Sequence, residues 1–140
     1  MTGVVVDASV LIACVISDGK ARRTFFSASG IEFYAPEFVR QELLKRAPRI
    51  LALSGVPPPV LSALWDDLFA RLTIVPRAAF SHRLKQATQL TEKADARGDE
   101  DYVALALALD APVWTYDKDF ARVREIRVVS REQIASGLTD

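Results

Sequence analysis

The chain alternates short apolar runs with longer stretches of helical period. Val4-Val5-Val6 is β-branched and uninterrupted, the pattern of a strand buried on both faces. Short runs at residues 31–35, 73–75, 113–116 and 127–129 predict four further strands. Residues 10–16 predict a helix that Ser9 could cap. Residues 19–29 carry Ala21, Phe25, Phe26 and Ala28 at helical spacing, with Asp18 as the cap and Gly30 just beyond the end. Pro36 suits the start of a helix over 37–46, which Pro48 should end or kink. The prolines at 57–59 break the chain again. Val60, Leu61, Leu64, Leu68 and Leu72 then form an apolar stripe, widened by Trp65 and Phe69. Residues 78–93 predict the most polar helix, 102–109 an Ala/Leu-rich one, and 131–137 the last. This alternation predicts an α/β fold: one domain over residues 1–140, with a mostly parallel sheet of about five strands flanked by helices.

Composition narrows the chemistry. Lys plus Arg and Asp plus Glu each number 18, so a formal net charge of zero excludes a polybasic coat but not a local basic patch. A single cysteine, Cys14, excludes an internal disulfide and a Cys-rich zinc site. A single histidine, His82, excludes a site with several His ligands and reads as a surface residue. A bound metal would therefore rest mainly on carboxylates, which suit hard cations such as Mg²⁺ or Mn²⁺. The longest apolar runs, 10–16 and 103–109, fall far short of the roughly 20 residues that span a bilayer. The opening MTGVVVDASVLIACVIS has no basic n-region and holds Asp7 in its apolar stretch, so a cytoplasmic location is expected.

Open α/β sheets bind ligands outside the carboxyl ends of their strands, and Asp7 and Asp117 each follow a predicted strand. Either acid alone commonly caps a helix. Two of them repel unless something positive lies between. Glu42, beside Leu43 and four residues after Phe38, falls near the buried side of its helix; were it the only acid of interest, a pair with Arg46 would be the plainer explanation. Glu37 is explained by the helix dipole. Asp99, Glu100 and Asp101 open the Ala/Leu-rich helix, where acids are favoured anyway, and composition does not choose among them.

Three stretches, VVVDASVLIA, APEFVRQEL and GDEDYVALALALDAPVWTYDKDF, resemble the successive signatures of the PIN domain family, small metal-dependent nucleases that include VapC-type toxins. The resemblance spans about positions 4 to 129. It implies a four-acid site, with all four positions filled: Asp7, Glu42, Asp99 and Asp117, Asp101 being the alternative third acid. Asp119 falls where many members carry a further acid, and Ser9 and Thr115 match the hydroxyl residues that support the site. The implied reaction is metal-dependent hydrolysis of RNA, with Mg²⁺ or Mn²⁺ on the carboxylates serving water activation and leaving-oxygen stabilisation. Asp7 and Asp117 are expected to bind the principal ion. Asp99 completes its shell, Glu42 positions a second ion or the water, and Glu42 and Asp119 are further candidate ligands.

RNA contact would fall to local cations: Lys20, Arg22 and Arg23; Arg40, Lys45, Arg46 and Arg49; Arg122, Arg124 and Arg127. The resemblance also implies a small antitoxin partner and a homodimer, to which part of the Trp65–Phe69 stripe could contribute, and no membrane association. Two other readings compete. One is a housekeeping RNA-processing nuclease on the same fold. The other is a non-catalytic acidic-pocket regulator such as a phosphoacceptor receiver, which would want an acid pair next to Asp7 and a late lysine. Lys118 is available, but the acid pair is not.

Overall fold

Strand β1 (Thr2–Val6) runs through the centre of the molecule, and Val4, Val5 and Val6 are wholly buried. Alternate side chains of a strand point to opposite faces, so this burial means that both faces of the sheet are covered there. The computed structural model describes residues 2–16 and 19–138. The proposed Asp18 cap lies outside these described residues. The other strands are β2 (Ile31–Pro36), β3 (Leu72–Val75), β4 (Val113–Trp114) and β5 (Val128–Val129). All four pairings are parallel, in the order β3-β2-β1-β4-β5. The chain thus builds outward from β1 on one side, then returns to add β4 and β5 on the other. The switch in direction falls between β1 and β4, where such sheets open a crevice.

The helices are α1 (Ala8–Ile16), α2 (Lys20–Ser27), α3 (Phe38–Lys45), α4 (Ala47–Ser54), α5 (Pro58–Ala70), α6 (Leu84–Lys93), α7 (Glu100–Leu109) and α8 (Arg131–Ala135). Helix α1 packs against α2, α3, α4 and α5, whereas α7 packs against β1, β2 and α6. The largest buried side chains are Trp114, Tyr102, Phe25, Phe33, Phe80 and Phe120. Phe33 links this core, with its ring 4.6 Å from Phe25 and 5.9 Å from Trp114. No helix of the described residues is long and apolar enough to cross a membrane.

Several boundaries differ from the sequence expectation for local reasons. Ser9 lies inside the first turn of α1 rather than before it, and its hydroxyl turns back to Asp7. Pro48 starts a helix that the pattern did not predict: it occupies the first turn of α4, where the missing N–H costs nothing. Pro58 and Pro59 likewise open α5. The stretch 78–93 begins as two 3₁₀ turns, Arg77–Ala79 and Ser81–Arg83, before α6. Strand β4 is two residues long because the chain leaves the sheet at Thr115, and that departure carries it into the site.

Candidate active site

The ends of β1 and β4 meet through one carboxylate oxygen. Asp7, only 6% exposed, accepts at Oδ2 from the Ser9 hydroxyl (2.6 Å) and the Thr115 hydroxyl (2.8 Å). Each hydroxyl in turn accepts a backbone N–H, from Tyr116 to Ser9 (3.0 Å) and from Asp117 to Thr115 (2.9 Å). With its proton given to Asp7 and its lone pair taken by the backbone, each hydroxyl has a fixed direction. Among the described residues Oδ1 of Asp7 takes no hydrogen bond. Ser9 and Thr115 thus hold the Asp7 carboxylate and shape the turn that carries Asp117.

Asp117 accepts the Asp119 N–H at 2.9 Å and so starts the 3₁₀ turn Lys118–Arg122. Arg122 pairs with Asp119 at 2.8 Å and donates to the carbonyls of Ala94 and Asp95 at 2.8 Å each, fastening this turn to the loop before α7. One oxygen each from Asp99, Asp117 and Asp119 lie within 4.8 Å of one another. Asp7 and Glu42 are outside that trio but line the same cleft of about 380 Å³, together with Ser9, Arg46, Arg97 and Tyr116.

The three acids at 99–101 separate cleanly. Asp99 precedes α7 without capping it by its side chain. Burial first, then the charges of Asp117, Asp7, Glu42 and Asp119, push its carboxyl up to about 8. Glu100 turns to the Gly98 N–H (3.0 Å) and the Thr91 hydroxyl (3.3 Å). Asp101 faces Arg77 at 3.7 Å; burial raises its pKa and Arg77 pulls it back. Only Asp99 of the three belongs to the cleft.

Glu42 does not form an ion pair with Arg46. Its Oε1 instead accepts the Tyr102 hydroxyl at 2.5 Å, across 60 positions of sequence. Burial raises the Glu42 pKa, Tyr102 and Arg46 lower it, and Asp7 and Asp101 raise it again. Burial, reinforced by the Glu42 charge, lifts the Tyr102 hydroxyl far above the usual tyrosine range, so it remains the donor.

Of the cations singled out from the sequence, Arg46 alone lines the cleft; Arg97, not singled out, joins it. Its only sequence signal was its place two residues before Asp99. Elsewhere, Arg40 stacks on Phe69 at 4.9 Å, Arg22 donates to the Cys14 carbonyl, and Arg122 is bound to Asp119. The donor set around Asp99 consists of carboxylate oxygens, with no nitrogen or sulfur, and three oxygens this close suit a hard divalent cation. Burial and mutual repulsion favour the protonated form of Asp99, a bias that a cation would oppose.

A second concavity of about 350 Å³ lies on another side of α3. Arg40, Leu43, Leu44, Ile50, Trp65 and Phe69 are among the residues that line it, and Leu44 is 74% exposed. The Trp65–Phe69 stripe is thus split: Leu61 and Leu68 are core, while Trp65 and Phe69 are half-buried.

A family model described as PIN domain matches residues 5–134. No curated protein matches the chain. Among solved structures, it is similar to a chain of the crystal structure of VapBC2 from Rickettsia felis bound to a DNA fragment from their promoter. The TM-score is 0.69 at 15% identity, covering 92% of this chain and 98% of that one, a likeness of fold.

Proposed function

The chain belongs to the PIN domain family, and from that premise we propose that it is a Mg²⁺- or Mn²⁺-dependent endoribonuclease, the toxin of a type II toxin–antitoxin pair. The convergence of Asp99, Asp117 and Asp119 beside Asp7 and Glu42, at the switch point of the sheet, carries this reading. Asp99, Asp117 and Asp119 would hold a divalent ion, with Asp7 and Glu42 lining the same cleft as further carboxylate ligands. When bound, the ion supplies Lewis acidity for attack of water on a phosphodiester. Ser9 and Thr115 fix the Asp7 carboxylate. Arg46 and Arg97, on the lining of an otherwise acidic cleft, are placed to grip RNA phosphate oxygens.

The fold likeness to a VapBC2 chain supports a small antitoxin as partner. The exposed groove beside α3 supports a protein contact, including a second copy of the chain. The cytoplasm is the proposed location.

The deciding experiment incubates the purified protein with a mixed RNA substrate, with Mg²⁺, Mn²⁺ or EDTA. Cleavage should need the divalent ion. A folded Asp7→Asn protein should lose more than the roughly 10–100-fold that outer partners of a metal site are worth. Undiminished cleavage by that variant would refute the assignment.

A further inference from the structure

The start of helix α7 ties two acids of the cleft together within a single turn. Asp99 stands immediately before the helix, its carbonyl accepting the Val103 N–H at 3.0 Å. Tyr102, three residues on, sends its hydroxyl to Oε1 of Glu42 on α3. The Tyr102 side chain is wholly buried. Its ring meets Phe38 edge-on at 6.5 Å and Phe120 edge-on at 6.1 Å. Phe38 belongs to the helix that bears Glu42, and Phe120 follows Asp119 directly. The hydroxyl is thus fixed from both sides, by the elements that carry the other acids.

Resting on the nuclease reading above, we infer that Tyr102 is a positioning residue: it occupies Oε1 of Glu42 and leaves Oε2 to hold a divalent ion in the cleft. An exposed glutamate on α3 could sample several rotamers. A hydrogen bond to an immobile phenol removes most of them. It also places Glu42 relative to Asp99 by the geometry of one helical turn, rather than by the looser packing of α3 on the sheet. Supports of this kind orient carboxylate ligands in metal sites generally. Without the hydroxyl, the half-buried Oε1 has no partner among the described residues. The carboxylate would then turn toward water or neutralise.

The test is a double-mutant cycle on Tyr102→Phe and Glu42→Gln. Tyr102→Phe keeps the ring in the core, and circular dichroism checks that it folds. It should lower kcat for RNA cleavage by about 10–100-fold, with KM changed by less than about twofold. The double variant should be no slower than Glu42→Gln alone, because both changes remove one function. Mn²⁺ affinity, read from the free-ion EPR signal without RNA, should weaken about tenfold in each single variant and no further in the double. Phe120→Leu, which keeps the hydroxyl and slackens the ring, is a second variant and should show a smaller loss of kcat at unchanged KM. Additive losses in the cycle, or wild-type kcat and Mn²⁺ affinity in Tyr102→Phe, would overturn the inference. A wild type that binds Mn²⁺ but does not cleave RNA overturns the nuclease reading alone, and the Mn²⁺ cycle then decides Tyr102. A wild type that does neither overturns both.

Discussion

Helix α3 separates two hollows of nearly equal size and opposite chemistry. On one side Glu42 faces a cleft of about 380 Å³ with Asp7, Asp99, Asp117 and Asp119. On the other, Leu43 and Leu44 face a groove of about 350 Å³ with Ile50, Trp65 and Phe69. Volume does not tell them apart. In the cleft, like charges are crowded and partly desolvated, which disfavours full ionisation of the acids, Asp99 above all. In the groove, apolar surface is left wet, so the fold loses burial until something covers it. The first hollow asks for an ion and the second for a surface. One amphipathic helix serves both because adjacent residues, Glu42 and Leu43, point about 100° apart around its axis.

The sharpest way to break this comparison is to ask which acids belong to the cleft. Asp99→Asn should lower RNA cleavage by more than about 100-fold, while Asp101→Asn and Glu100→Gln stay within a few-fold of wild type. Equal and mild losses in all three would reduce the 99–101 run to a helix-start charge cluster.

Next in size is the response to metal. A divalent ion that binds only the folded chain should stabilise it by about 2.7 kcal/mol at 100 times Kd. Asp117→Asn should flatten that rise in Tm and, by relieving repulsion, raise the Tm of the metal-free protein. An Asp117→Asn protein that melts lower without metal and keeps the full shift would make Asp117 an ordinary structural acid.

A smaller effect follows from pH. Asp99 titrates near 8 in the folded protein against an ordinary value of 3.8. Between those values the folded state holds the extra proton, so raising the pH favours the unfolded state. The stability of the metal-free protein should be greatest below about pH 4 as far as Asp99 is concerned, fall through neutrality and level off above about 8. Glu42 and Asp101, both raised chiefly by burial, act in the same direction. Thermal melts in metal-free buffer at pH 5, 7 and 9 should show this decline, and Asp99→Asn should make it shallower.

The smallest effect lies in the groove. Leu44→Glu alters an exposed position and should change the stability of the isolated chain by no more than about 0.5 kcal/mol. Cleavage should persist, while sedimentation should show any self-association reduced. Loss of cleavage in Leu44→Glu would mean that the two hollows are not independent.

Most of the framework was legible because its signals are local. Uninterrupted valines mark β1, and Pro36 marks the entry to α3. The start of α4 escaped notice because Pro48 reads equally as the end of one helix and the first turn of another. The cleft was legible where an acid follows a strand, as at Asp7 and Asp117, and the family resemblance chose Asp99 and Glu42. Tyr102 was missed because, in the run YVALALALD, an aromatic residue reads as core. Its ring is core, yet its hydroxyl reaches a partner 60 positions away. Arg97 sits in a loop without periodicity. The i, i+4 logic that paired Glu42 with Arg46 failed because a buried hydroxyl satisfies a half-buried carboxylate better than a solvated guanidinium does.

Cys14, on the buried side of α1, gives the molecule a clock. Its thiol is wholly buried, and burial pushes its pKa up to about 12, so the thiolate that alkylating reagents attack is all but absent in the folded chain. Every labelled molecule must first have opened around α1. Because the chain has only this cysteine, the labelling rate reports one opening event with no competing thiol. Whatever settles into the cleft or the groove will slow that clock to the extent that it holds α1 closed.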